Sequence, residues 1–322
     1  MKLYLSVCVA IACTCLCLTH AIANEPRTVR IAHNVYGFIG TGGTVTRENR
    51  GRVANAGFIV GPKGVVVVDT GISFRHGQQL KTAIRAITDK PVELVILTHA
   101  VREFVFGAGA FEAGGVSIAA HRETLNLMKA RCAHCLEQLK EQLGAELDGS
   151  RLVLPTRIFD DTTAINVNGV ELEIIYAGWA STPGDIAIFH EESGTLLTGG
   201  LVTTDYVPTI RDADFYGWKN ALEILSHLPV KHVVPGFGPP DGPKTISAMR
   251  GYLDALDARV HALYEETSSL LETIERAGLP GYSDWSAYEQ NHRRNALHRQ
   301  LQLEIEDLGG DSRSTAVPGG AR

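Results

Sequence analysis

The segment Val92-Glu-Leu-Val-Ile-Leu-Thr-His99-Ala-Val-Arg-Glu-Phe-Val-Phe-Gly107-Ala-Gly-Ala-Phe111 decides the fold of this chain. Its first six residues are a mostly apolar run of strand character that ends at Thr98-His99. A loop follows, and then a segment of small residues can begin a helix. The segment therefore predicts a strand, a loop and a helix in that order, with His99 at the end of the strand.

Length and composition indicate a globular protein with a sizeable core. The chain has 322 residues, of which 44% are hydrophobic, enough for one large domain or two small ones. The formal net charge is only -6, and no Lys/Arg run is long enough to predict binding to nucleic acid. After residue 25 no apolar stretch reaches the length of a membrane span.

Residues 1–23 have the pattern of a secretory signal sequence. Lys2 supplies a positive start, Leu3 to Leu18 are apolar, and Ala21-Ile22-Ala23 is a small-x-small cleavage site. A membrane anchor and a lipoprotein are the alternatives. Cleavage would remove four of the six cysteines and leave Cys132 and Cys135. We therefore expect a secreted domain, residues 24–308.

Periodicity divides that domain into strands and helices. One strand is predicted from Val29 to Gly40, and a hairpin is predicted around Asn168-Gly169, a strong type I′ turn signal. Helices are predicted at residues 122–143, 244–277 and 285–308, so that residues 244–308 form a helical C-terminal part. The small and polar residues 309–322 predict a disordered tail.

The opening segment resembles the T-H-x-H-x-D-H-x-x-G signature of the metallo-β-lactamase superfamily. Thr98, His99 and Gly107 keep its frame. Val101 stands at its second histidine, Glu103 at its aspartate and Phe104 at its third histidine. The resemblance covers about residues 29–307 and implies an α/β fold, the αβ/βα metallo-β-lactamase sandwich of two facing mixed sheets with helices outside.

The remaining ligand positions of that superfamily are substituted as well. The G-x-x-H-T-x-x-D segment matches Gly178–Asp185 with Ser181 at the histidine, and the P-G-H-G-P segment matches Pro235–Pro239 with Phe237 at the histidine. The bridging aspartate matches Gly200. A catalytic zinc needs three N, S or O protein ligands and an open position for water, which phenyl rings and glycine do not provide. The resemblance therefore implies that no metal or other cofactor is bound.

Within the superfamily the chain looks closest to the quinoprotein relay system zinc metallohydrolases. The segments Trp285–Asn295 and Cys135–Leu139 carry this finer resemblance. It implies a periplasmic protein linked to PQQ-dependent alcohol oxidation. Together with the substituted ligand positions, it favours a pseudoenzyme: a non-catalytic binding or accessory protein whose partner is an unknown small molecule or periplasmic protein.

Two other functions stay open. A metal-dependent hydrolase, with zinc as its cofactor, could use a rearranged site of His99, Glu103 and His121. Those three residues with Asp69 and Asp185 are the candidate residual pocket. A Ser181/His99/Asp185 triad is disfavoured because Ser181 lacks the G-x-S-x-G context of a nucleophile elbow.

The second alternative is a redox role for the C-x-x-C pair, Cys132 and Cys135. The pair could form a disulfide, remain as two partly buried thiols, or supply half of a metal site. Leu136 follows the second cysteine, so the pattern does not fit attachment of c-type haem.

Overall fold

Two facing β-sheets with helices on their outer faces form the described part of the chain. The computed structural model describes residues 25–315, and both the predicted signal sequence and residues 316–322 lie outside that range. Seven strands form the first sheet in their chain order: β1 (Arg27–Ala32), β2 (Val35–Ile39), β3 (Ala56–Val60), β4 (Val65–Val68), β5 (Val92–Ile96), β6 (Ser117–His121) and β7 (Arg157–Phe159).

The first sheet is mixed. Strands β1 to β4 pair antiparallel, whereas β4, β5, β6 and β7 pair parallel. Parallel neighbours need crossover connections, and helices supply them. The carboxyl ends of β4 and β5 consequently meet at one edge of the sheet.

The second sheet has the strand order β12-β11-β10-β9-β8. Its neighbours are antiparallel except β11 and β12, which run parallel. The predicted hairpin at Asn168-Gly169 is confirmed, since Val167 pairs with Val170 and both turn residues have positive φ. The strands are β8 (Thr163–Val167), β9 (Val170–Tyr176), β10 (Ile186–His190), β11 (Thr195–Leu197) and β12 (His232–Val234).

The helices cover the outer faces of both sheets. Alternation along the strands explains why: in β4, Val66 and Val68 face the second sheet, whereas Val65 and Val67 belong to the core beneath helices. The helices are α1 (Phe74–Arg85), α2 (Arg102–Val105), α3 (Gly109–Glu112), α4 (Arg122–Leu127), α5 (Ala133–Leu143), α6 (Phe215–Ser226), α7 (Lys244–Glu265), α8 (Leu270–Arg276) and α9 (Tyr288–Asp307). The expected αβ/βα sandwich is confirmed.

Two predicted boundaries were wrong. The strand predicted at 29–40 folds back at Asn34, whose φ is 60°, and becomes the β1–β2 hairpin. The helix predicted at 244–277 ends at Glu265, because Ser269 and Glu272 form a capping box that starts α8. In the predicted tail, Ser312–Thr315 form a 3-10 turn.

The helix predicted at 122–143 is confirmed in extent, but a π-helical turn at Met128–Cys132 joins α4 to α5. Within residues 25–315, no helix is long and apolar enough to cross a membrane.

Candidate functional site

The site is organised at the edge where β4 and β5 end. Asp69 follows β4 and Thr98-His99 follow β5 closely. Asp69 Oδ1 accepts a hydrogen bond from the Thr98 amide, and Oδ2 accepts one from Thr98 Oγ1, both at 2.8 Å. Burial raises the pKa of Asp69 to about 7, although these two hydrogen bonds oppose the shift. Asp69 therefore holds Thr98 in place and joins the ends of β4 and β5.

His99 is buried with one ring nitrogen already engaged. Its Nδ1 lies 2.7 Å from Thr98 Oγ1. When Asp69 is ionised, Thr98 Oγ1 donates to it and accepts from His99 Nδ1, which leaves Nε2 with a free lone pair. Burial lowers the pKa of His99 to about 3, so the ring is neutral at physiological pH.

His99 Nε2 and Ser181 Oγ converge on Gly200. A Cβ added at Gly200 would lie 2.7 Å from the first atom and 2.9 Å from the second. The side chain of Ser181 donates to the carboxylate of Asp185 at 2.9 Å, and the Thr182 amide also donates to it. Burial raises the pKa of Asp185 to about 7. The predicted triad residues therefore lie near one another, but Asp185 contacts the serine and not the histidine.

Aromatic rings fill the space beside His99. The Phe104 ring is fully buried, and its centroid lies 4.3 Å from that of the His99 imidazole. Phe237 packs edge-on against Phe104 at 5.3 Å, and Tyr206 stacks on Phe237 at 4.5 Å. We call Phe104, Phe237 and Tyr206 the aromatic cluster. Its rings have no ligand atoms for zinc, apart from the Tyr206 hydroxyl.

Asn55 holds the loop that carries Phe237. Its buried Nδ2 donates to the backbone oxygens of Pro235 and Gly238, each at 2.8 Å, while its Oδ1 accepts from the Gly40 amide at 3.0 Å. Asn55 and Tyr206 were not among the site residues predicted from the sequence. Neither belongs to a local motif, because their partners lie far away in the chain.

The rearranged metal site predicted as an alternative is not assembled. Glu103 Oε1 pairs with Arg102 Nε at 3.0 Å. His121 caps α4: its Nδ1 accepts from the Glu123 amide, so its Nε2 donates to the Asp160 oxygen at 3.0 Å. Both nitrogens of His121 are thus occupied. Among residues 25–315, no three His, Cys, Asp or Glu side chains are grouped so that they could hold a metal ion.

The cysteine pair lies at the start of α5. Cys132 is buried, Cys135 is half-buried, and both are free thiols. The disulfide, the pair of partly buried thiols and the half metal site all stay predictions. Residues three apart on a helix have Cβ atoms about 5–6 Å apart, beyond the roughly 3.5–4.5 Å that a disulfide needs.

The donor set at this edge does not fit a catalytic zinc. Such an ion takes three protein ligands with N, S or O atoms and keeps one position for water. Around Gly200 the chain offers one imidazole nitrogen and one neutral hydroxyl that is already bonded to Asp185. The arrangement therefore supplies one imidazole nitrogen among packed rings, which is fewer ligands than a catalytic zinc needs.

Comparison with known proteins identifies related hydrolases. The linear primary-alkylsulfatase of Pseudomonas sp. (strain ATCC 19151) is 22% identical over 295 residues, covering 78% of this chain and 55% of that protein. The metallo-beta-lactamase type 2 of Bacteroides fragilis is 22% identical over 232 residues, covering 70% of this chain and 84% of that protein. This chain spans only about half the length of the alkylsulfatase.

A solved structure and a family model agree on the fold. The stereoselective inverting sec-alkylsulfatase Pisa1 from Pseudomonas sp. superposes with a TM-score of 0.68 at 17% identity, covering 89% of this chain and 55% of that chain. The model of the metallo-beta-lactamase superfamily matches residues 49–236, more than half of the chain. The two mixed sheets with helices outside have the same architecture, and the chain belongs to the metallo-beta-lactamase superfamily.

Proposed function

We propose that this chain is a non-catalytic member of its superfamily, a binding or accessory protein that has lost the di-zinc site. The packing of Phe104 against His99, and of Phe237 against Phe104, carries the proposal. Both phenylalanines stand at positions that the sequence motifs match to zinc-binding histidines. Their rings supply packing where the superfamily's hydrolases need ligand atoms.

Gly200 gives independent support. Its position matches the bridging aspartate of the motif, yet the place of its Cβ is taken by His99 Nε2 and Ser181 Oγ. An aspartate could return there only if His99 or Ser181 moved. The absence of the aspartate is therefore matched by His99 and Ser181, which occupy the space that its side chain would need.

The surrounding frame still folds as in the related hydrolases. Asp69 and Asp185 keep their loops in place through hydrogen bonds to Thr98 and Thr182. A frame maintained without its metal ligands fits a protein that is retained for binding. It would present the half-buried Phe237 and its loop to a small molecule or to another protein.

Zinc content tests the proposal directly. The purified chain is exposed to excess zinc, dialysed exhaustively and measured by elemental analysis, alongside His99→Ala and the double variant Val101→His/Ser181→His. We expect far less than one zinc per chain in the wild type. The double variant adds two imidazoles, which together with His99 give the three histidines of one zinc site in the motif. A gain of zinc in this variant would show that the assay detects an occupied site.

The competing function is metal-dependent hydrolysis at a rearranged site, which the hydrolase relatives favour by their names. It requires one tightly held metal per chain that His99→Ala releases. It also requires turnover of a primary alkyl sulfate or a β-lactam by the metal-loaded chain. Either result would contradict the non-catalytic proposal, which expects neither.

We extend the proposal to the setting implied by the finer resemblance: secretion to the periplasm and a link to PQQ-dependent alcohol oxidation. The test is growth of a deletion strain on an alcohol oxidised by a quinoprotein dehydrogenase. Slower growth that the intact gene restores, and a His99→Ala gene also restores, fits an accessory role without metal. Unchanged growth would contradict the link.

A further inference from the structure

We propose that Cys132 and Cys135 are a thiol–disulfide exchange site for low-molecular-weight disulfides, with Cys135 as the attacking thiol. Both lie at the start of α5, where Cys132 is the N-cap and Cys135 is the third residue of the helix. The preceding residues Met128–Cys132 form a π-helical turn, an irregularity that often marks functional sites. Both cysteines are free.

The helix geometry favours an exchangeable bond over a permanent one. Residues at i and i+3 bring their Cβ atoms to about 5–6 Å, whereas a disulfide needs roughly 3.5–4.5 Å. Closure therefore requires a local movement, and the π turn beside Cys132 is the segment that can supply it. A disulfide closed with strain is more easily reduced than a relaxed one.

The two thiols differ in access. Cys132 is 1% exposed and belongs to the core beneath the first sheet, whereas Cys135 is half-buried. Only Cys135 can meet a disulfide from solvent. Burial also raises the pKa of Cys132 to about 12. Burial raises the pKa of Cys135 too, but the guanidinium groups of Arg102 and Arg211 oppose that shift.

The reaction balances without any other oxidant. The Cys135 thiolate attacks one sulfur of the incoming disulfide, forms a mixed disulfide and releases one thiol. Cys132 then attacks the Cys135 sulfur, and its proton passes to the departing thiolate, which leaves as the second thiol. The chain is oxidised by two electrons, and the external disulfide is reduced to two thiols.

A chain of hydrogen bonds connects the cysteine pair to the loop that carries Ser181. Arg131 lies in the π turn next to Cys132, and its Nη1 donates to Asp212 Oδ1 at 2.8 Å. The Asp212 backbone oxygen accepts from Trp179 Nε1 at 2.8 Å, two residues before Ser181. A movement of the π turn would therefore disturb the Trp179–Ser181 loop. The meaning of a change in the Trp179–Ser181 loop rests on the proposed function, whereas the thiol–disulfide exchange does not.

The test uses glutathione disulfide and the reduced chain under native conditions, with acid quenching and peptide mass spectrometry. Cleavage after Arg131 and Lys140 gives the peptide Cys132–Lys140, which carries both cysteines and separates them from those in residues 1–23. In the wild type we expect loss of both thiols, a peptide lighter by two hydrogens and no lasting glutathione adduct.

Single variants identify the order of events. Cys132→Ser should accumulate one glutathione adduct on Cys135, whereas Cys135→Ser should stay unmodified because Cys132 is buried. The Trp179 fluorescence of the wild type should shift on oxidation, and Trp179→Phe is the control for that signal. Zinc content should not change, which separates this test from that of the proposed function.

Three results would overturn the proposal: two lasting adducts on the wild-type peptide, equal modification of both single variants, or no reaction before unfolding. Circular dichroism of each variant identifies any that fails to fold. The wild-type result decides the exchange even if one variant is lost.

Discussion

A side chain at position 200 would begin 2.7 Å from the Nε2 of His99, so Gly200 and His99 depend on each other. The imidazole is neutral and buried, and the glycine leaves it the room that it needs. Two positions that the superfamily motif gives to ligands thus fit together here as packing partners. The free energy of unfolding of variants at these two positions therefore reports on how the site is packed.

Substituting Gly200 with alanine should destabilise the fold by about 1–3 kcal/mol, because the added methyl overpacks the site against His99. Urea unfolding measures this change. Gly281→Ala is the matched control, since a Cβ there meets nothing within 4 Å. In a His99→Ala background most of the cost should disappear. An equal cost in both backgrounds would show that His99 is not the obstacle.

Phe104→Ala should cost about 3–5 kcal/mol of unfolding free energy, because it leaves a cavity where a fully buried ring was. Phe237→Ala should cost less, since Phe237 is only half-buried. Urea unfolding of the two variants under identical conditions gives the comparison. If Phe104→Ala were the milder change, the aromatic cluster would not be a packed unit.

His99 should make stability depend on pH. Its pKa falls from 6.5 to about 3 on folding because of burial, so below pH 6.5 the unfolded chain takes up a proton that the folded chain refuses. The stability from His99 is complete above pH 6.5 and is lost as the pH falls towards 3. Relative to His99→Gln, the wild type should lose about 1.4 kcal/mol more per pH unit in this window. Parallel pH profiles of the two proteins would contradict the assigned burial.

Asn55→Asp should release the loop that carries Phe237. The carboxylate cannot donate to the backbone oxygens of Pro235 and Gly238, and it would be buried beside them. We expect a loss of about 2–5 kcal/mol, with Asn126→Asp on the surface changing stability by less than about 0.5 kcal/mol. Thermal and urea unfolding measure both. Equal effects would mean that added charge, and not the lost hydrogen bonds, causes the change.

Local sequence signals predicted those elements whose cause is local. Asn168-Gly169 determines its hairpin because both residues tolerate positive φ, and the segment 92–111 has the strand and helix expected of it. The break at Glu266–Ser269 was missed, although residues 265–269 carry no apolar side chain and Ser269 with Glu272 forms the capping box that starts α8. The hairpin turn at Asn34 was missed because the alternating pattern predicted one continuous strand through it.

The sequence by itself determined the superfamily frame, the order of its strands and helices, and which residue types stand at the motif positions. These follow from apolar periodicity and from short motifs along the chain. Only the tertiary structure decided that Phe104, Phe237 and Tyr206 pack together, that Gly200 makes room for His99, and that His121 is occupied by Glu123 and Asp160. Those contacts join residues far apart in the chain, so they arise from the packing of the two sheets and their loops, which no local pattern encodes.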